Sequence, residues 1–511
     1  MDIDPGAIEI AKLRLWLSLV VDDEDVKQIK PLPNLFYKIV TGNSLLGVEK
    51  TLFNEKLFRD LEKLKPIYFD ESDTAKKLSL RLQIDTLIHE LTNGKEIFDF
   101  EIYFSEVFHP KNGFDVVIEN PPYVQIKGIP AADRRVYEQS YEFATGRFNL
   151  FYLFIERCKL LSRKRGTSSF IIPDRLLLNT QCKAIRAWLL NENSICELVS
   201  FADQVFETVV VDSILLSFRR EQRSSDSVRA RRKVSQREVQ RTQPITIPVA
   251  YFQLSPSAQF DLNFTSAKLE LYRKIKANSV ELATISETKD GIIQGKVEDR
   301  LFLQTKQDAE SKRLLFGEDV DRYSVTFRKN WVNYKPGEMM TLEIKRRGKG
   351  VRPGLWMREP RIFERPKILT RQTADEIIAA YDEENFYYAN TLHGTAITNG
   401  VYHPHYVLGI LNSRITTWYY RSNTDEEGKV FAQIKIELLR KLPIPKADKN
   451  QQRPIIQLVD RILTAKQRDA EADTSALEHE IDQLVYALFG LTPAEIKIVQ
   501  GQTRTPTFAD A

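Results

Sequence analysis

Four consecutive residues, Asn120-Pro121-Pro122-Tyr123, bring together groups that can hold a planar amine. The Asn120 side-chain oxygen and the Pro121 carbonyl can each accept one N–H. Two adjacent prolines fix the direction of that carbonyl and cannot continue a strand ladder. The Tyr123 ring offers a face on which a flat base can stack. The run Phe114-Asp115-Val116-Val117-Ile118 just before it predicts a short buried strand, so the tetrapeptide is expected in a fixed loop at a strand's C-terminal end. Without that strand, an Asn-Pro turn beside a surface tyrosine would be an equal account.

Other chemistry is sparse. Cys158, Cys182 and Cys196 are widely spaced and form no CxxC pair, which argues against a disulfide scaffold or zinc ribbon and fits a reducing, cytoplasmic setting. His403 and His405 are the only close histidine pair and are expected to be a loop feature, so no metal is assigned. Glu343-Ile344-Lys345 has the acid-x-lysine spacing of some nucleases, but nothing around it resembles a nuclease core. Gly348-Lys349-Gly350 lacks the spacing of a phosphate loop. No apolar run reaches the roughly 18 residues of a membrane span.

The elements that must position the tetrapeptide follow from patterning. Met1-Asp2-Ile3 reads as a strand end, and Asp4-Pro5 as a helix start with Asp4 as N-cap. Ile8, Ala11, Leu15 and Leu19 recur at helical spacing, widened by Ile10, Leu13 and Leu17. Phe36 to Val40 reads as a strand ending in the turn Thr41-Gly42-Asn43-Ser44. Residues 50–105 read as a charged, mostly helical surface insertion. Asn149 to Leu161 reads as helix; Ser168 to Pro173, Ile195 to Phe201 and Ser213 to Phe218 read as strands. That alternation predicts an α/β domain with a mainly parallel sheet over residues 1–255.

Nine basic residues between Arg219 and Arg241 face three acids, so residues 219–243 read as a solvated basic linker or, equally, as a surface for phosphate contacts. Mixed β-like patterning follows over 256–445, then two amphipathic helices within 446–511. A second basic cluster, Lys345 to Arg365, surrounds Trp356 and suits contacts to the phosphates of a polyanion. Whole-chain charge is only +4, so local clusters alone argue for a polyanion.

In this order the motifs resemble S-adenosyl-L-methionine-dependent methyltransferases that modify the amino group of adenine in DNA, of the kind related to type IIG restriction enzymes. Asp2-Ile3-Asp4-Pro5 resembles the acidic end of the family's second strand, and Gly42-Asn43-Ser44-Leu45 the loop after its third. Asn120-Pro121-Pro122-Tyr123 resembles the catalytic loop after the fourth. Gln204-Val205-Phe206 with Asp212-Ser213-Ile214-Leu215 resembles the late target-base segment. Leu314 to Tyr323 and Tyr406 to Ser413 resemble the specificity domain. The resemblance implies a Rossmann-like class I methyltransferase domain with its first strand missing, then a mixed α+β specificity domain and C-terminal helices.

It also implies roles. Asp2 would accept from the cofactor ribose, Ile3 would pack on its adenine, and Asn43 with Ser44 would complete that pocket. Asn120, Pro121, Pro122 and Tyr123 would hold the target amine and base, with Phe206 stacking opposite Tyr123. Each residue also has a plain structural reading: Asp2 a solvated acid, Asn43 an Asx-turn residue, Phe206 a core phenylalanine. Gly6 is the only glycine before Gly42, so the glycine-rich cofactor loop is expected from elsewhere. The expected partners are double-stranded DNA and a complementing N-terminal segment or restriction subunit. The competing reading is a catalytically weak DNA-binding subunit; a methyltransferase acting on RNA or protein leaves the C-terminal half without a role.

Overall fold

Asp4 starts the first helix as its type dictates. Its side chain accepts the Gly6 N–H at 2.8 Å and caps α1, Pro5–Val20, with Pro5 in the first turn. The computed structural model describes residues 1–21, 35–46, 55–92, 98–206, 211–221, 226–255, 257–348, 350–423 and 433–501, and it divides into two units, Met1–Val249 and Ala250–Ala511. The side chain of Leu19, and residues Arg223 and Lys349, lie outside the described ones.

Of the apolar residues on α1, Ile8 is buried, whereas Ile10, Leu13, Leu15 and Leu17 are all about half exposed. Phe36 to Val40 does not form the expected strand. Leu35–Tyr37 is a 3-10 turn, because the Tyr37 side chain turns into the neighbouring helices and its hydroxyl donates to Asp85 at 2.6 Å. What remains of strand pairing is one parallel bridge between Asp2 and Thr41, made by Asp2 N–H to the Val40 carbonyl at 3.3 Å and Gly42 N–H to the Asp2 carbonyl at 2.9 Å. Helices α2, Glu55–Asp70, and α3, Thr74–Leu91, form a hairpin with a small core of Leu61, Tyr68, Ile84, Ile88 and Leu91.

The main sheet of the first unit holds six strands: β1, Phe114–Glu119; β2, Ser162–Pro173; β3, Ser194–Phe201; β4, Ser213–Arg219; β5, Ser227–Val234; and β6, Ile245–Pro248. Their order is β1-β2-β4-β3-β5-β6. β1 runs parallel to β2 and β3 to β5, while β4 and β6 run against their neighbours, so the sheet is mixed rather than mainly parallel. The cause is the stretch between Phe201 and Ser213, which holds no helix among the described residues and is too short for a crossover. Helices α4, Ala131–Ser140, α5, Leu150–Leu161, and α6, Lys183–Glu192, lie between the strands in sequence. Phe151, Leu153 and Ile155 of α5, with Phe170, Ile172, Leu216 and Leu198 of the sheet, are fully or almost fully buried.

Two expectations change here. β1 is an edge strand with one covered face: Val117 and Glu119 point inward, while Val116 and Ile118, alternating onto the other face, are 57% and 79% exposed because no described element packs over it. The basic stretch is not a linker. Val228, Ala230 and Val234 are buried in β5, Arg229 and Arg232 face outward, and Arg229 and Arg231 pair with Glu197 of β3. Period-two burial holds from Val228 to Arg231, and the left-handed φ of Lys233, 47°, then breaks the alternation and leaves Arg232 and Lys233 exposed.

The second unit contains an antiparallel sheet ordered β11-β10-β12-β7. Its strands are β7, Ser286–Asp290; β10, Lys367–Arg371; β11, Ala379–Asp382; and β12, Leu392–Ile397. A two-stranded ribbon joins β8, Ile293–Gln294, to β9, Leu355–Trp356, beside helix α7, Pro336–Arg347. Helices α8, Pro404–Leu411, α9, Lys449–Arg468, and α10, Ser475–Phe489, pack within this same unit, so the described part of 446–511, residues 446–501, does not stand apart from it. At Gly409 a side-chain carbon would come within 2.8 Å of Ile455, which is why α8 can lie so close to α9.

Because Ala230 is fully buried in β5, Ala230→Asp should destabilise the first unit by more than about 3 kcal/mol. Thermal or urea unfolding measures this. A linker residue would tolerate the change within experimental error.

Candidate functional site

The tetrapeptide sits at the C-terminal end of β1, and the loops after β2 and β3 leave the same end of the sheet, since these three strands share one direction. Asn120 is exposed, and among the described residues its side chain makes no hydrogen bond. Pro121 is buried and Pro122 exposed. Tyr123 is held from two sides. Its hydroxyl donates to the Ile171 carbonyl of β2 at 3.0 Å, and its ring packs edge-on against Phe151 of α5 at 6.4 Å. Burial raises the Tyr123 hydroxyl above its ordinary value, opposed by a hydrogen bond from Ser213 at the start of β4. The loop is then clamped to the head of α5. Ile126 N–H donates to the Phe148 carbonyl at 3.1 Å, Leu150 N–H to the Val124 carbonyl at 2.9 Å, and Asn149 caps α5 through Phe151 N–H.

The residues assigned to the cofactor lie around the Asp2–Thr41 bridge. Asp2 is exposed, and its Oδ1 accepts Asp4 N–H at 2.9 Å. Ile3 is 71% exposed. Asn43 takes its Asx-turn form: Oδ1 accepts Leu45 N–H at 2.9 Å, and Nδ2 donates to the Tyr137 hydroxyl at 3.3 Å. The Ser44 hydroxyl lies 3.5 Å from the Met1 sulfur. Phe206 is half-buried after β3, and no ring contact joins it to Tyr123 among the described residues.

Two residues of this neighbourhood escaped the sequence reading. Tyr137 of α4 receives the Asn43 amide, and the buried Tyr141 hydroxyl donates to the Leu45 carbonyl at 2.6 Å. Helix α4 follows the tetrapeptide in the chain and grips the Asn43–Leu45 loop. Only a helical spacing of two tyrosines hinted at it. Glu119 is the third omission. It ends β1 beside Asn120, and its Oε2 is buried with no hydrogen-bond partner among the described residues. Burial pushes its carboxyl up to about 7, against the lowering pull of the Met1 amine and of Arg157 on α5.

Other candidates resolve as structure. Glu343 is fully buried, and its carboxylate accepts Lys296 N–H at 2.6 Å and Gly354 N–H at 2.8 Å beside Arg347, an arrangement that ties loops together. His403 Nδ1 accepts His405 N–H at 3.2 Å and caps α8, and His405 pairs with Asp460 at 2.6 Å. No cluster able to hold a metal occurs among the described residues. Nor is any helix among them long and apolar enough to cross a membrane.

The carboxyl at 119 sets a pH dependence. Its folded value, about 7, lies above the ordinary 4.5, so folding favours the protonated form. The stability it supports is full below about 4.5 and is lost as pH rises from there through about 7. Thermal melts of the parent should show that decline, and Glu119→Gln should remove it.

Residues 1–206 match the Eco57I restriction-modification methylase family, and residues 312–444 match the TaqI-like C-terminal specificity domain. A Methanocaldococcus jannaschii protein described as a type II restriction enzyme and methyltransferase is 24% identical over 96% of this chain and 48% of its own length. The Escherichia coli type II restriction enzyme and methyltransferase Eco57I is 26% identical over 26% of this chain and 14% of its own length. The chain thus spans about half the length, or less, of these curated relatives. Among solved structures, the type IIL restriction-modification enzyme MmeI in complex with DNA aligns at a TM-score of 0.47 and 10% identity, covering 82% of this chain and 62% of that one. The segment that holds the tetrapeptide at the end of β1 is thus similar to Eco57I restriction-modification methylases, and the segment that holds β10, β11, β12 and α8 is similar to the TaqI-like C-terminal specificity domain.

Proposed function

We propose that this chain is the methylase and specificity portion of a restriction-modification DNA methyltransferase that transfers a methyl group from S-adenosyl-L-methionine to the exocyclic amine of a flipped-out adenine in double-stranded DNA. The observation that carries the reading is the presentation of the tetrapeptide. Asn120 is open and uncommitted, while Tyr123 and the following loop are pinned to β2 and α5. That is the state expected of acceptors waiting for a ligand rather than of a packed turn.

The exocyclic amine of adenine is a weak nucleophile because its lone pair is drawn into the ring. The Asn120 oxygen and the Pro121 carbonyl accept its two N–H groups, which returns electron density to nitrogen and favours tetrahedral geometry. Tyr123 and Phe206 support the base from its faces, as an extruded base requires. The cofactor, when bound, supplies an electrophilic methyl group on sulfonium. The residues around the Asp2–Thr41 bridge fit its adenosine part: Asp2 keeps acceptor capacity for ribose hydroxyls, and Ile3 presents an open apolar side chain. Asn43 fits less well, since its oxygen already accepts Leu45 N–H and retains one further lone pair.

The partners in this reading are double-stranded DNA and a strand-supplying segment, in the same protein or in a restriction subunit. The open backbone edge of β1, its uncovered face with Val116 and Ile118, and the half-exposed Ile10, Leu13, Leu15 and Leu17 of α1 support that segment. The setting proposed is the cytoplasm.

Methyl transfer to DNA, measured with labelled cofactor and with the complementing segment supplied, tests the reading. Asn120→Ala should lower turnover by about a hundredfold or more. DNA affinity should stay near the parent's, because phosphate contacts dominate it. Retained turnover would remove Asn120 from this role. Tyr123→Ala should weaken capture of 2-aminopurine at the target by roughly 1–3 kcal/mol. Tyr123→Phe keeps the ring but loses the bond to Ile171, so it should cost only about 1 kcal/mol of fold stability.

A further inference from the structure

The basic cluster of the second unit is largely consumed by its own acids. Arg346 pairs with Asp299, Arg347 with Glu343, and Arg361 with Glu359, while Arg365 and Arg361 share Glu287. Trp356 stands apart from this. It is 50% exposed, the only tryptophan among the large apolar side chains left open to solvent in the described residues. The ribbon that carries it is rigid. Glu343 accepts N–H groups from Lys296, just past β8, and from Gly354, just before β9. At Gly295, whose φ is +58°, a side-chain carbon would come within 2.7 Å of that carboxylate.

The guanidinium of Arg358 lies over the Trp356 ring at 4.6 Å from its centroid. Arg358 is itself fixed. Its φ is 64°, its Nε donates to the Gly291 carbonyl at 3.2 Å, and its carbonyl accepts the Tyr334 hydroxyl at 2.6 Å. A non-glycine residue held in the left-handed region is a strain that surrounding contacts must sustain. Beside this stack opens a cavity of about 460 Å³. Met340, Leu355 and Trp356 give it an apolar floor, and Lys289, Arg358 and Arg361 give it a basic rim. Of the charged residues that line it, Lys289, Arg358 and Arg361 outnumber Glu359, while Glu287 and Asp290 pair with these cations from outside the lining. Lys345, on the helix that supplies Met340, and Arg352 have no ion pair among the described residues.

An apolar, aromatic floor with a cationic rim matches one nucleobase and its phosphate. We propose that this cavity receives an unstacked base of the bound DNA duplex, with Trp356 as the stacking platform and with Arg361 and Lys289 exchanging their solvent-exposed pairs with Glu287 and Glu359 for the flanking phosphate. The inference rests on the DNA-binding reading above and adds a second base-holding site, in the specificity domain, to the one at Tyr123. Aromatic stacking on a rigid cation-backed ring suits a base of any identity, so the site positions DNA more than it reads sequence.

The test uses the full chain and duplexes recovered on it from a random-sequence pool. Trp356→Ala should weaken binding by about tenfold or more, with Trp356→Phe within about threefold of the parent and both melting like the parent. The salt dependence should be unchanged in Trp356→Ala, but its slope should fall by about one in Arg361→Gln. Tryptophan emission of the parent should be quenched by the duplex, and that quench should be lost in Trp356→Phe. Equal affinity in the parent and Trp356→Ala, or equal loss in Ala and Phe variants, would overturn this inference while leaving the DNA-binding reading intact. Recovery of no duplex by the parent would overturn both.

Discussion

The parallel pairing of β1 with β2 is the constraint on which the candidate site depends. Gly113 enters β1 at φ +126°, where a side-chain carbon would come within 2.6 Å of the Leu161 carbonyl. From there Val117 meets Ser168 and Glu119 meets Phe170, and one residue further along β2 the Ile171 carbonyl receives the Tyr123 hydroxyl. β2 is in turn paired along β4 from Thr167 to Pro173. A loop that begins at Glu119 thus inherits its position from the most buried strands of the unit. The single hydroxyl bond is worth only about 1 kcal/mol, but it fixes direction where Asn120 must meet a ligand.

Charge is spent locally throughout the molecule, and this changes how basic clusters should be understood. Glu197 on β3 faces Arg229 and Arg231, and Glu287 on β7 serves Lys289, Arg361 and Arg365. A run of cations in sequence looked like a surface for phosphates because the acids that answer it come from distant segments. What remains for a polyanion is a smaller set, and its aromatic member matters as much as its charge.

Several elements were legible because a local signal and tertiary packing agreed. Asp4 and Pro5 began α1, Asn149 began α5, and the apolar runs at 168–173, 195–201 and 213–218 formed β2, β3 and β4. The tetrapeptide was legible from its prolines and the strand before it. Where the reading failed, a long-range contact had won. Tyr37 left a strand pattern to reach Asp85, and β5 hid its alternation under arginines because Val228 and Ala230 are few and small. Val116 and Ile118 read as core because an apolar run cannot show whether both faces of its strand are covered.

Helix α4 carries the least legible relation of all, yet it joins the two halves of the candidate site. It follows the tetrapeptide loop directly, so its start moves with that loop. Tyr137 within it and Tyr141 just past its end hold the Asn43–Leu45 loop by one amide bond and one carbonyl bond. Past it, Glu142 and Phe143 donate to the two oxygens of Glu156 on α5, and α5 also bears Phe151, the ring against Tyr123. The contacts therefore close a ring: tetrapeptide loop, α4, the 141–143 turn, α5, and back to Tyr123. A displacement of the Asn43 loop cannot be absorbed by solvent-exposed chain alone, because buried tyrosines transmit it to the helix that supports the base-facing aromatic. The geometry around the Asp2–Thr41 bridge and the geometry around Asn120 are for that reason parts of one packed unit, although more than seventy residues of chain separate them.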